Sequence, residues 1–287
     1  MIATAHTPYA EVIGDPIAHS KSPVIHGFWL DRLGQAGAYR ATHVLPDMLA
    51  GYIAARRDDP AWRGCNVTLP HKQAVIHLLD RVDETAAAIG AVNTVVPEDG
   101  ELVGYNSDAP GFLEPLRPIL AKQHLFRLAR IIGGGGAAKA VAHALYGVGF
   151  TLVAIARDRG QAEALVAPFD PGHVYVGDLA DLAAPTDFAF DDRAGILDLV
   201  VNATSLGMIG KPPLALDWSH VPPGALIYDL VYAPLDTPLL VEARRRGHQV
   251  IDGLDMLIGQ AAVAFEKFYG VAAPRGRDAE LRALLTA

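Results

Sequence analysis

The sequence predicts an α/β fold in two parts, on three observations. Strand-like and helix-like runs alternate along most of the 287 residues. The segment "LARIIGGGGAAKAVAHALYGVGFTLVAIAR" (128–157) reads as strand, glycine-rich turn, helix and strand. The runs "DLVVNATSLGM" (198–208) and "GALIYDLVYAP" (224–234) are apolar without alternation, as parallel strands covered on both faces are. The expected architecture is a mixed-sheet α/β domain over 1–110, joined by C-terminal helices over 254–287, and a Rossmann-like parallel-sheet domain over 111–253.

The elements follow in order. "YAEVI" (9–13) reads as a strand ending at Gly14-Asp15-Pro16. Val24, Phe28, Leu30 and Leu33 fall near helical spacing over 23–34, with Gly34 as the stop. "YRATHVL" (39–45) is a strand, and 47–57 an amphipathic helix with Asp47 as its N-cap. "GCNVTLP" is a strand, "HKQAVIHLLD" a helix and "ETAAAIG" (84–90) a shorter one. Glu98-Asp99-Gly100 joins two strands in a hairpin placed at the sheet edge. In the second half, "HQVIDG" (248–253) is the last strand, and 254–270 has helical periodicity. Pro171-Gly172 and 186–193 read as loops within a weakly patterned stretch, 168–196.

Composition removes several function classes. The formal net charge is −8, with no basic block, which argues against non-specific nucleic-acid binding. A local pocket can still oppose the global sign and take an anionic small molecule. Cys65 is the one cysteine, so an intrachain disulfide and a cysteine-rich zinc site are excluded. The eleven histidines show no metal-ligand spacing; His19, His26 and His71 are read as structural. No metal is expected. No apolar run reaches the ~18 residues of a membrane span. The N-terminus lacks a charged stretch followed by an apolar one, so a cytoplasmic protein without a signal peptide is expected.

Gly133-Gly134-Gly135-Gly136-Ala137-Ala138 fits G-x-G-x-x-A between a strand and a helix, the dinucleotide fingerprint. Free N–H groups at such a helix start suit a pyrophosphate. The end of the next strand sets the cofactor. An acid there would hold a ribose 2′-hydroxyl, but Arg157 stands in that place, with Asp158 and Arg159 beside it. A guanidinium suits a 2′-phosphate, so NADP is favoured, with NAD possible.

In the first half, polar residues gather at strand ends: Ser20-Lys21-Ser22, Asn66 and Thr68 with Lys72, Asn93-Thr94, and Asn106-Ser107-Asp108. Ligands of open α/β sheets collect at such ends. Hydroxyls, carboxamides, one ammonium and one carboxylate suit a polyhydroxylated, carboxylated small molecule, and Ser20 and Ser22 can jointly take its carboxylate. Taken singly, each is an ordinary turn or cap residue.

The chain resembles the shikimate dehydrogenases over nearly its whole length. "GDPIAHSKSP", "NVTLPHK", "GAVNTVV", "GYNSDAPGF", "GGGGAAKA", "NATSLGM", "YDLVY" and "DGLDMLIGQAA" occur in that family's order. The resemblance implies two α/β domains with a cleft between them. It implies NADP-dependent interconversion of 3-dehydroshikimate and shikimate, on the route to chorismate and the aromatic amino acids. It implies Lys72 as the catalytic acid/base paired with Asp108. Ser20 and Ser22 would hold the substrate carboxylate, and Asn66, Thr68, Asn93, Tyr232 and Gln260 would contact substrate. It places Leu230 and Gly253 near the nicotinamide, Asn202, Ala203 and Thr204 under the cofactor, and Glu84 at a cofactor-associated position. The family's "N-T-D-G" reads Asn106-Ser107-Asp108-Ala109 here, its "N-R-T" loop reads Ala156-Arg157-Asp158, and a downstream arginine is Gln161. His71 stands where an apolar residue is common. The partners implied are small molecules, in a monomer or homodimer.

Ketone reduction by a nicotinamide needs a proton on oxygen, and a positioned acid contributes ~10²–10⁴-fold. An ammonium donates that proton and stabilises developing alkoxide charge. The rival readings are a quinate or quinate/shikimate dehydrogenase using NAD or NADP, an aminoshikimate dehydrogenase, and a non-catalytic metabolite sensor. A sensor is expected to have lost Lys72 or Asp108; both are present.

Overall fold

The computed structural model describes residues 7–286; the first six residues, part of the N-terminal stretch read above, and Ala287 lie outside the described residues. The chain divides into two compact units, Met1–Ser107 with Ile258–Ala287, and Asp108–Leu257.

The first unit contains β1 (Tyr9–Gly14), α1 (Ser22–Leu33), β2 (Ala38–His43), α2 (Leu49–Arg57), β3 (Trp62–Val67), β4 (Arg81–Val82), α3 (Glu84–Ile89), β5 (Thr94–Glu98) and β6 (Glu101–Tyr105). The sheet order is β2-β1-β3-β5-β6-β4. Strands β1, β2 and β3 are parallel, and β5 runs antiparallel to both β3 and β6. The sheet is mixed, as expected. Asp99 and Gly100 both take positive φ, the requirement of a tight two-residue hairpin turn.

Three local expectations are corrected. The hairpin is not at the edge, because the two-residue β4 pairs in parallel outside β6. Asp47 caps no α-helix: it lies in a 3₁₀ turn, Pro46–Met48, and α2 starts only at Leu49. Residues 71–80 form no α-helix but turns and a 3₁₀ segment, Ala74–Leu78. The Lys72 carbonyl accepts instead from the Val92 backbone N–H at 2.8 Å, so tertiary structure takes the acceptor that a helix would use.

The second unit starts at α4 (Asp108–Leu113) and α5 (Arg117–Leu120). It continues through β7 (Phe126–Ile132), α6 (Gly136–Gly147), β8 (Thr151–Ala156), α7 (Arg159–Val166), β9 (Val174–Asp178), β10 (Ile196–Asn202), β11 (Leu226–Asp229), α8 (Pro238–Arg245) and β12 (Val250–Ile251). Its six strands are all parallel, in the order β12-β11-β10-β7-β8-β9. Counted from β7 this is 3-2-1-4-5-6, the doubly wound dinucleotide-binding order, which reverses between β7 and β10. The turn after β7 and the loop after β10 therefore flank one crevice at the strands' carboxyl ends. The uninterrupted burial of β11, and of all but the first residue of β10, matches their non-alternating sequences. Two helices close the chain, α9 (Gly253–Tyr269) and α10 (Asp278–Thr286), and from Ile258 onward they belong to the first unit.

Each sheet is covered by apolar packing. One face of the first sheet buries Ala10, Val12, Tyr39 and Val96 with Ala264 and Phe268 of α9. The second sheet buries Ile132, Ile155, Val200 and Ile227 with Leu239 and Leu240 of α8. Among the described residues, no helix is long and apolar enough to cross a membrane.

Candidate active site

In the first unit, strand direction brings the polar motifs to one edge. β1, β2 and β3 end there. β5 is antiparallel to β3, so it begins there, and β6 ends there; the register Asn66↔Thr94 and Thr94↔Tyr105 fixes the alignment. Asn66, Asn93, Thr94, Asn106 and Ser107 thus converge, although 41 positions separate the first from the last in the 287-residue sequence.

Asn66, Asn93, Thr94 and Ser107 form one buried hydrogen-bonded set, with Asn106 beside it. Asn66 Nδ2 donates to the Asn93 carbonyl at 3.2 Å and to Thr94 Oγ1 at 3.1 Å. Asn93 Nδ2 donates to Ser107 Oγ at 2.9 Å, and Asn93 Oδ1 accepts from the Ser107 N–H at 2.7 Å. Ser107 Oγ donates to Gln260 Oε1 of α9 at 3.3 Å. Asn106 Nδ2 donates to the Ala91 carbonyl at 2.9 Å. Such a set holds its side chains in fixed directions. Sequence reasoning missed one member: Tyr39 of β2 donates its hydroxyl to Asn66 Oδ1 at 2.6 Å.

Other predicted residues of the first unit follow the strands that end at this edge. Ser22 opens α1 and is buried, and its N–H donates to Ser20 Oγ at 3.3 Å. Thr68 follows β3, and its N–H donates to the Ile13 carbonyl at 2.9 Å. A Cβ on Gly14 would fall 2.5 Å from Thr68 Cγ2, so β1 must end in glycine for Thr68 to sit there. Lys72 is half-buried on the turn beyond. His71 is buried and turned to the Val44 carbonyl, 2.7 Å from its Nε2. That is the structural role expected of it. Asp108 belongs to the second unit and is buried at the start of α4.

In the second unit, Gly133 follows β7 at φ 126°, and a Cβ there would meet the Ala203 carbonyl at 2.9 Å. The N-cap of α6, Gly135, makes no side-chain bond, and a Cβ on it would have nothing within 4 Å. Open space therefore lies over unblocked helix N–H groups. Ala138 is fully buried where the helix meets the sheet. These three features fit a dinucleotide pyrophosphate. Beyond β8, Arg157 is exposed and pairs with no acid among the described residues, whereas Arg159 pairs with Glu163 at 2.9 Å. Asp158 caps α7, its Oδ1 accepting from the Gly160 N–H at 2.8 Å. That oxygen is engaged by the fold.

The loop after β10 is held by Asn202. Its Oδ1 accepts from Thr204 Oγ1 at 2.7 Å, and its Nδ2 donates to Asp229 Oδ1 at 2.9 Å. Asp229 also accepts from Thr237, the N-cap of α8, at 2.6 Å. Burial pushes the Asp229 carboxyl upward. Among the described residues, no group of three or more His, Cys, Asp or Glu stands ready for a metal ion.

A profile described as the shikimate dehydrogenase substrate binding domain matches residues 12–95. A protein of Sphingopyxis alaskensis named shikimate dehydrogenase (NADP(+)) is 52% identical over 283 residues, 98% of each chain. The chain belongs to the shikimate dehydrogenase family. A relative of the same name from Methylobacterium radiotolerans is 45% identical over 94% of this chain and 93% of its own. The fold matches shikimate 5-dehydrogenase of Thermus thermophilus in complex with NADP(H) and shikimate, at a TM-score of 0.81 and 36% identity, over 97% of this chain and 99% of that one.

The remaining residues taken from the family fall as follows. Tyr232 is half-buried beyond β11, and burial raises its phenol pKa. Glu84 is exposed in the first turn of α3, within the first unit. Ala109 is buried in α4. Gln161 leans on the glycine turn, its Cβ lying 2.9 Å from where a Gly134 Cβ would be. Gly253 starts α9 against the backbone of Leu230, and a Cβ on it would lie 2.2 Å from the Leu230 carbonyl oxygen. Backbone cannot swing aside as a side chain does. Gly253→Ala is therefore expected to cost about 2–3 kcal/mol of stability and to displace the Leu230 backbone. Thermal unfolding and the KM for cofactor measure both effects; a variant matching wild type in both removes the steric argument.

Proposed function

We propose that the chain is an NADP-dependent shikimate dehydrogenase, interconverting 3-dehydroshikimate and shikimate on the route to chorismate. The observation that carries this is the 52% identity, over 98% of both chains, with a relative so named. The geometry supports it. The first unit offers the comb of hydroxyls and carboxamides that a polyhydroxylated acid requires, and the second a glycine turn, a free helix start and Arg157.

In the proposed roles, Ser20 and Ser22 take the substrate carboxylate. Thr68, Asn66, Asn93, Tyr232 and Gln260 position the ring, and the backbone around Leu230, Gly253 and Thr204 borders the nicotinamide. The residues 133–137 and Arg157 hold the phosphates. When bound, NADPH supplies the hydride. Lys72 gives the proton to the carbonyl oxygen on reduction and takes it back on oxidation. Asp108, next in the chain after Ser107, accepts a hydrogen bond from the reacting hydroxyl. The pinned Lys72 carbonyl and the buried His71 on the same turn fix the backbone from which the lysine projects.

The cytoplasm is the proposed compartment. Cys65 is buried and its thiol pKa is pushed up by burial, so it is no reactive thiol.

The deciding experiment is initial rates with shikimate and quinate, each against NADP⁺ and NAD⁺. Shikimate with NADP⁺ is expected to lead. Arg157→Ala is expected to raise the KM for NADP⁺ about tenfold and to leave that for NAD⁺ unchanged. No turnover of either acid with either cofactor overturns the enzyme reading. An unchanged KM for NADP⁺ in the variant overturns only the role of Arg157.

A further inference from the structure

Tyr39 is absent from every role assigned so far, yet it bonds one of the residues given to the substrate. It sits in β2, paired with Ala10 of β1, while Asn66 of β3 pairs with Val12. Ala10 and Val12 are two residues apart, so Tyr39 and Asn66 lie on the same face of the sheet, one row offset. The phenol spans β1 to reach Asn66 Oδ1 at 2.6 Å.

The directions of these bonds are forced. The Asn93 carbonyl cannot donate, so Asn66 must turn Nδ2 toward it, and a second proton of the same amide goes to Thr94 Oγ1. Both amide protons are then spent, and Oδ1 faces the phenol. Tyr39 must donate to it. Asn66 is left with one lone pair on Oδ1, the one place where a substrate hydroxyl can hydrogen-bond to this side chain.

The phenol is itself immobilised. Its ring stacks on His26 of α1, with centroids 3.9 Å apart and planes 4° from parallel. Phe268 of α9 flanks it at 6.3 Å. Burial holds its pKa well above the ordinary tyrosine value, so it stays a donor throughout the working pH range.

We infer that Tyr39 is a positioning residue for substrate, fixing the Asn66 carboxamide so that the open lone pair of its Oδ1 meets a ring hydroxyl in one set direction. This rests on the proposed shikimate reading. Tyr39→Phe keeps the ring and its stack on His26 but removes the hydroxyl, leaving Asn66 free to swing.

The test is steady-state kinetics on the full chain for wild type, Tyr39→Phe, Asn66→Ala and the double variant, with shikimate and NADP⁺. Tyr39→Phe is expected to raise the KM for shikimate about tenfold, with the KM for NADP⁺ unchanged and kcat within about threefold of wild type. Acting through Asn66, it is expected to add less than about twofold in the Asn66→Ala background. A thermal midpoint close to wild type separates this from general loosening. A KM for shikimate within twofold of wild type in Tyr39→Phe overturns the inference, as do losses that multiply in the double variant or a KM for NADP⁺ that rises in step. If Tyr39→Phe fails to fold, Tyr39→Leu takes its place with the same readouts: the KM for shikimate must rise about tenfold with that for NADP⁺ unchanged, and a KM for shikimate within twofold of wild type overturns the inference. A wild-type chain that turns over no shikimate defeats the underlying functional reading, a result distinct from all of these.

Discussion

Lys72→Ala is expected to lower kcat by ~10²–10⁴, the contribution of a positioned general acid, while the KM for shikimate changes by only a few-fold. The side chain is half-buried and its turn is held by backbone: the Lys72 carbonyl accepts from Val92, and the His71 N–H donates to the Thr68 carbonyl at 2.9 Å. Removing the ammonium leaves those bonds in place, so the fold survives and the loss falls on chemistry. Lys72→Arg divides the two functions of the ammonium. A guanidinium keeps the positive charge but does not give up a proton at working pH. If Lys72 acts by proton transfer, arginine rescues little. If it acts by charge alone, arginine restores a large part of kcat. Near-normal turnover in the alanine variant would falsify the assignment outright.

The fold was legible wherever burial wrote itself into composition. β10 and β11 are covered on both faces and read as unbroken apolar runs; the glycine turn after β7 reads from its spacing together with the strand and helix on either side. What escaped was set by partners distant in sequence. β9 is an edge strand with no fully buried residue, so it shows no apolar pattern. α7 begins with Arg159 and Gly160, and only Ala162, Leu165 and Val166 of its eight residues are buried, too few for a period to emerge. Residues 71–80 carry helical spacing, but the carbonyl of Lys72 is claimed by Val92. The same division holds in the site. Asn66, Asn93 and Asp108 sit in motifs that stand out in the sequence. Tyr39 lies in a strand with no motif around it. Its hydroxyl meets Asn66 only because β1 lies between β2 and β3, and no local signal announces that. Asp158 shows the same limit: nothing in the sequence marks it as the N-cap of α7, where its side chain accepts from the Gly160 N–H.

The first unit is expected to lose stability on mild acidification, and the cause is His26. This imidazole is fully buried, and neither ring nitrogen finds a hydrogen-bond partner among the described residues. Its neighbours are the aromatic rings of Trp29, Tyr39, Phe265 and Phe268, none of which carries charge near neutral pH. Burial therefore pushes its pKa from 6.5 down to about 3. Between these values the unfolded chain binds a proton at this position and the folded chain does not, so stability rises with pH across that window and is lost as pH falls through it. The full contribution is present above pH 6.5. At 1.36 kcal/mol for each unit it amounts to roughly 5 kcal/mol by pH 3, and to about 2 kcal/mol by pH 5. His26→Phe removes the titrating group and keeps an aromatic ring over Tyr39. Its packing cost or gain is the same at every pH, so the informative quantity is the difference between wild type and variant. Urea unfolding followed by tryptophan fluorescence measures it, since Trp29 and Trp62 both lie in the first unit. From about pH 7.5 to pH 5 that difference is expected to shift by about 2 kcal/mol in favour of the variant. A difference that stays constant means that His26 takes up its proton in the folded state, and the aromatic cage around it must then open to water well above pH 5.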